Sequence, residues 1–427
     1  MSERVAEVGV TGVGRAGDFS VMSLIGFAHA TSHFFHLVIP SLFPWLMADF
    51  KLSFTQAGTL TTVFFVVSGI GQALAGFAVD RWGAQRVLRT GIGMLALSGV
   101  ALALAQGYPA LVLAAALAGG GNAVFHPADY TVLNRSVSPA RLGHAFSAHG
   151  LSGNIGWAAA PVFMTGIATL AGWRTAAWAA AAVGLLSLVS VVLLRGIISE
   201  SQAPAHLTAA ADSDAPRASP FEFLRVGAVW MCFLFFLTSV IGLGALQNFA
   251  PSVFENFYGL ARTAAASALT FYLLGGAAGI LAGGFLAARV EAHERVVAGL
   301  LMVAALMAVV LATGTVPHGL VLPFMALIGF CTGSASPSRD LLVRRAAMER
   351  FGQRSFGRIY GFVYSGLDVG LAVAPILFGR LMDRGMFAAV LGGVAVFQGL
   401  AVVAALGVGQ TRPARTATAV AQPQSRA

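Results

Sequence analysis

Charge is what this 427-residue sequence has least of. Asp, Glu, Lys and Arg make up 10% of it and hydrophobic residues 57%, whereas a soluble domain carries about 25% charged residues. No water-soluble core of this length hides so much apolar surface, so lipid must cover it. Lysine is nearly missing: Lys51 stands alone, and the net charge of +9 is due to arginine. That excess lies in short loops between apolar runs. This is the positive-inside pattern of a membrane protein, not the footprint of a nucleic-acid partner. Cysteine is limited to Cys232 and Cys331. Both fall inside apolar stretches, which excludes a disulfide framework and thiolate metal spacing. Residues 1–18 lack the short apolar core and cleavage site of a secretory leader. No glycine run sits between a strand and a helix to hold phosphate. No nucleophile–base spacing points to hydrolysis, so neither an enzyme nor a cofactor is expected.

What the sequence has is apolar length. A crossing needs about 20 mostly apolar residues, and twelve such runs are readable: 20–48, 54–80, 87–106, 109–135, 144–169, 173–195, 224–254, 262–288, 295–314, 317–343, 356–380 and 386–408. All should be helices, because lipid satisfies no backbone polar group. The expected organisation is an N-terminal segment 1–19, a six-helix bundle 20–195, a linker 196–223, a second bundle 224–408 and a tail 409–427. The linker, rich in Ala, Ser, Pro and Asp, has no apolar periodicity. Arginines follow even-numbered runs: Arg81, Arg86 and Arg89, then Arg135 and Arg141, then Arg289 and Arg295, then Arg344, Arg345, Arg350, Arg354 and Arg358. The opposite loops at 106–109 and 314–319 carry none. Both termini are therefore expected in the cytoplasm, in an inner membrane of bacterial type.

The chain also repeats itself. Gly143, Gly156 and Pro161 superpose on Gly357, Gly370 and Pro375 at one offset, with Asn154 opposite Asp368. Gly119 and Pro127 superpose on Gly329 and Pro337, and Gly76 and Arg81 on Gly284 and Arg289. Two homologous apolar halves suggest a transporter that rocks one half against the other around a central site.

Polar residues inside the runs mark that site. A charge at a helix centre costs about 2.5–3.5 kcal/mol on insertion scales, so intramembrane acids carry a functional expectation. Asp129, Asp340 and Asp368 are the three. Asn122, His126 and Asp129 share one stripe of span 4, interrupted by Pro127. His126 with Asp129 is the leading proton-handling pair; an internal hydrogen bond that never titrates is the alternative. Arg339 and Asp340 follow Pro337 and point to different neighbours, either as proton or anion partners or as a structural charge network. Tyr360, Tyr364 and Asp368 form an inward stripe on span 11. His29, His33 and His36 occupy one face of span 1, at about 0°, 40° and −20° for about 100° per residue. They can line a polar cavity, pack structurally or bind a metal. No carboxylate or thiol lies beside them in sequence, so no resident metal is assigned. His149, Asn154, Gln247, Asn248 and Tyr272 complete the expected wet interior.

Gly76, Asp80, Arg81, Gly83 and Arg86 match the G-x-x-x-D-R/K-x-G-x-R/K-R/K signature between spans 2 and 3. In this the chain resembles the major facilitator superfamily. Gln85 departs at one basic position, and Ala288 stands opposite Asp80 in the second half. The resemblance implies a cytoplasmic gate in which Asp80 pairs across the half interface; a purely topogenic basic loop is the other reading. Phe125-His126-Pro127 in span 4 and Gly153-Asn154-x-Gly156 in span 5 resemble the fosmidomycin-resistance branch. That likeness implies proton-driven efflux of a drug-like or toxic solute. The antiporter signature of span 5 is not reproduced, since Ala160 stands before Pro161. Proton-coupled uptake of a small organic anion is the second reading, and metal transport through the span 1 histidines the third. A polytopic sensor is a non-transport alternative without an appended signalling domain. The expected partners are a small-molecule substrate, protons and lipid, with the protein acting as a monomer.

Overall fold

The computed structural model describes residues 15–138, 141–198, 222–351 and 356–410, and no strand occurs among them. The helices are α1 (Arg15–Ser41), α2 (Phe43–Phe50), α3 (Phe54–Trp82), α4 (Ala84–Ala103), α5 (Tyr108–Asn122), α6 (Phe125–Ser136), α7 (Leu142–Ala171) and α8 (Trp173–Leu193). In the second half they are α9 (Gly227–Tyr258), α10 (Arg262–Ala287), α11 (His293–Ala312), α12 (His318–Phe351), α13 (Phe356–Asp383) and α14 (Phe387–Gln410). Among the described residues, twelve crossings are long and apolar enough to span a membrane. Their outer surfaces expose large apolar side chains such as Leu170, Leu193, Phe77 and Phe285, as a lipid-covered bundle requires. Most of the expected linker and both terminal segments lie outside the described residues.

Proline explains where crossings bend. Pro44 has no N–H to continue α1, so α2 starts afresh after Leu42. Pro127 has the same effect within the fourth crossing: α5 ends at Asn122 and α6 starts at Phe125, which places Pro127 in a first turn where its missing donor costs least. Its repeat counterpart Pro337 lies inside an unbroken α12.

The halves repeat in geometry as in sequence. Helix α1 packs on α7 as α9 packs on α13, α4 on α8 as α11 on α14, and α3 crosses α5 as α10 crosses α12. The glycines of the repeat make the last crossing possible. A Cβ on Gly119 would stand 2.3 Å from the Phe64 carbonyl oxygen, and one on Gly329 would stand 1.9 Å from that of Tyr272. Small residues let backbones approach this closely.

Two seams join the halves, α3 with α13 and α7 with α10. The first is tight on the face away from the arginine loops. A Cβ on Gly58 would meet the Pro375 carbonyl at 2.7 Å, and one on Gly379 would meet Thr55 at 2.9 Å. Thr62 donates to the Ala372 carbonyl (2.7 Å). The Asp383 carboxylate accepts from the backbone N–H of Phe54 (2.5 Å) and of Thr55 (3.0 Å), capping α3 from the other half. On the second seam Thr270 donates to the Ala158 carbonyl (2.9 Å). At the arginine-rich ends the repeat-related Gly76 and Gly284 have no described atom within 4 Å of a would-be Cβ. Among the described residues the halves are thus clasped on one face, while these two glycines of the other face are unpacked.

Candidate functional site

The deepest polar cluster lies in the first half, where α1, α6 and α7 meet. Gly156 brings α7 onto α1, with a would-be Cβ only 2.1 Å from the Ala30 carbonyl oxygen. One turn earlier, Gly153 leaves room for imidazoles. A methyl group there would lie 2.7 Å from the His33 ring and 2.8 Å from the His29 ring. Five histidines fill the space. The rings of His29 and His149 stack at 3.5 Å, and His33 stands 4.3 Å from His29 and 4.8 Å from His36. His126 approaches His29 at 5.6 Å.

Hydrogen bonds assign much of the protonation pattern. Trp157 Nε1–H donates to His36 Nδ1 (3.1 Å), so the other nitrogen of a neutral His36 carries the proton and donates to Asn122 Oδ1 (2.8 Å). Asn122 Oδ1 also accepts from the Ser32 hydroxyl, and its amide donates to Ser68 (2.7 Å). His36 is thereby locked between α1, α3, α5 and α7. His29 Nδ1–H donates to the carbonyl of His149 (2.8 Å), which can only accept. His126 Nδ1 pairs with Gln72 Oε1 on α3 (2.9 Å). His149 Nε2 donates to Asp129 Oδ2 (3.0 Å), and that carboxylate is 0% exposed. Asp129 Oδ1, His29 Nε2 and His33 Nδ1 are buried without a protein partner.

The expected pair His126 with Asp129 is therefore divided. Both belong to α6, but Asp129 reaches α7 and His126 reaches α3. Gln72, Ser32, Ser68 and Trp157 emerge as partners only from the fold. Gln72 was visible only as a polar residue inside an apolar run.

Other expected residues lie elsewhere. Asn154 donates to the Gly150 carbonyl within α7 (3.0 Å). Its repeat partner Asp368 sits on the α3–α13 seam, where a Cβ on Gly69 would meet the Asp368 Cβ at 3.5 Å. Gln247 and Asn248 are buried on α9; Asn248 donates to the Gly244 carbonyl (2.8 Å), while Gln247 Nε2 and Asn248 Oδ1 have no protein partner. Tyr272 is buried in the core on α10. Arg339 stacks over Phe236 within the second half, 4.7 Å from the ring centre, beside Cys232 and Leu342. The side chains of Asp80, Asp340, Tyr360 and Tyr364 lie outside the described residues.

In the arginine loop, Gly83 has φ +85°, a conformation only glycine adopts readily, and it turns α3 into α4. Arg81 and Arg86 are exposed. Gln85, the departure from the signature, is buried and donates to the Ile198 carbonyl (3.1 Å) at the end of the first half. A guanidinium there would have to be buried.

Two six-helix halves of common architecture, joined along two seams and with a buried polar cluster in the first, are the architecture of a membrane transporter. The Major Facilitator Superfamily matches residues 22–353, and the chain belongs to it. It is 26% identical over 370 residues to the fosmidomycin resistance protein of Escherichia coli (strain K12), covering 84% of this chain and 86% of that one. It is also 26% identical to the 3-(3-hydroxy-phenyl)propionate transporter of the same strain, covering 74% and 75%. Among solved structures, a bacterial homologue of the human lysosomal transporter Spinster, inward-facing and occupied, superposes with TM-score 0.75. That match has 14% identity and covers 93% of this chain and 98% of that one. The protein moves small solutes across a membrane and is not an enzyme.

Proposed function

We propose that this protein is a proton-coupled secondary transporter that exports a small drug-like or toxic solute. It lies in the bacterial inner membrane as a monomer, with both termini in the cytoplasm. The observation that carries the reading is the Asp129–His149 pair, fully buried at the wall of a histidine-lined centre, with one carboxylate oxygen left unpartnered. A buried acid bonded to an imidazole is a group that binds and releases a proton as its surroundings change. Asp368 on the seam between halves is the second coupling acid, placed where rocking alters its environment. Substrate would bind between the halves, contacting the face of His33 and His126 on one side and α9 and α13 on the other. The fosmidomycin resistance protein supports export. The phenylpropionate transporter supports the second reading, uptake of a small organic anion driven by protons.

The test uses purified protein in vesicles with an imposed pH gradient and a panel of antibiotics and aromatic acids. Expected is solute flux coupled to proton movement in the wild type. In Asp129→Asn, gradient-driven flux should vanish while solute exchange without a gradient persists. Undiminished gradient-driven flux in Asp129→Asn would sink the proton assignment. Movement of solute with, rather than against, the protons would establish uptake over export.

A further inference from the structure

We propose that His29, His33 and His126 form a binding site for a borderline divalent cation of the zinc class. The three rings come from α1 and α6, and one nitrogen of each lies within 4.8 Å of the other two. Zinc–imidazole bonds of about 2.0–2.1 Å in a tetrahedron need nitrogens about 3.4 Å apart, which modest ring rotation achieves.

Hydrogen bonds orient two rings of the trio, and His33 joins them by proximity with a buried nitrogen that has no protein partner. A metal-binding imidazole characteristically gives its second N–H to a carbonyl or other acceptor, which fixes the lone pair on the ligating nitrogen. His29 does so to the His149 carbonyl (2.8 Å) and His126 to Gln72 Oε1 (2.9 Å). This leaves the Nε2 lone pair of each ring for a ligand. That of His29 is buried with no protein partner, a costly state for a polar atom unless something fills it. His36 drops out because both its nitrogens are bonded, to Trp157 and Asn122. His149 gives its Nε2–H to Asp129 and stands outside this trio, in a second close group with His29 and Asp129. His33 and His126 are only half buried, so a fourth coordination position would face the space between the halves and take water or solute, as open zinc sites do. The buried Asp129 carboxylate behind His149 supplies negative charge close to the cation. Imidazole ligands without thiolates favour zinc, nickel, cobalt or copper over magnesium or calcium.

The cation would bind wholly within the first half, whatever solute the protein carries and in whichever direction. The test is therefore made on detergent-purified protein without a gradient. Co²⁺ is titrated and read by visible absorption, and Zn²⁺ by calorimetry. Expected is one equivalent bound, with the absorption of a low-coordinate cobalt–nitrogen site. His33→Ala and His126→Ala should abolish saturable binding. Gln72→Ala, which removes only the orienting acceptor, should weaken it about 10–100-fold. His318→Ala, at the start of α12, should bind as the wild type does. Each variant is checked for monodispersity, and the milder Gln72→Ala and the wild type keep the test decisive if a histidine variant misfolds. Wild-type protein that takes up no Co²⁺ or Zn²⁺, or monodisperse His33→Ala and His126→Ala proteins that bind normally, would overturn the proposal.

Discussion

At the scale of single residues, glycine and histidine act together. Gly153 is where the sequence's G-N-x-G run becomes chemistry, because its missing side chain is the space that His29 and His33 occupy. Gly153→Ala should displace both rings. Overpacking of this kind costs about 1–3 kcal/mol. The expected outcome is a lowered melting temperature together with a transport loss larger than the fall in folded protein explains. A melting curve and a vesicle flux measurement on the same preparation check it. Asp368→Asn should remove the drive from a pH gradient and leave exchange, as for Asp129→Asn. If pH-driven flux is unchanged, Asp368 has no part in coupling. Helical spacing made His29, His33 and His36 legible as one stripe and Asn122, His126 and Asp129 as another, and Asp129 was paired with His126 because both lie on one helix face. Helical spacing shows which residues share a face, not which neighbouring helix that face meets, and here α7 competes successfully for the carboxylate.

At the scale of helices, the clasp is the informative element. An acid pairing across the half interface, with a basic group or a helix N-terminus, was expected at Asp80. The described instance is at the other face, where Asp383 caps α3 through Phe54 and Thr55. Its value comes from the unsatisfied donors of a first turn and the positive end of the helix dipole. Loss of a cap costs about 0.5–2 kcal/mol, so Asp383→Ala should weaken closure on this face several-fold. Distance measurements between spin labels at the outer ends of α3 and α13 should show a broader or longer distribution. An unchanged distribution would mean that the glycine contacts at Gly58 and Gly379 hold the seam alone. Helix boundaries were legible wherever apolar runs ended in Gly, Pro or Arg. The break between α5 and α6 was readable from Pro127. The continuity of α12 through Pro337 was not, because a proline inside a crossing can be tolerated when neighbouring groups satisfy the freed carbonyl.

At the scale of the whole molecule, the twelve crossings and the duplication were legible from composition and repeat offsets. The reason is physical: lipid leaves helices as the only way to bury the backbone, and the same glycines must recur wherever the same helix pair crosses. Which face of the seams is packed is not written in any local pattern, since the glycines of the packed and the unpacked face read alike in sequence. Gly76 and Gly284 carry a prediction at this scale. They stand open here while Gly58 and Gly379 are packed, so the opposite state should pack them. Gly76→Val with Gly284→Val should hold the protein with its arginine-rich face open. Cysteine accessibility should then report one face only, and net transport should fall far more than solute binding.

All five clustered histidines lie on α1, α6 and α7, whereas the clasping carboxylate of Asp383 and the seam acid Asp368 belong to α13. On the reading proposed above, the imidazole wall of the solute site and the carboxylates at the seam thus belong to different copies of the repeated unit. A chimera joining this first half to the second half of a related carrier would then keep the histidine cluster of this protein and take its seam acids from the donor.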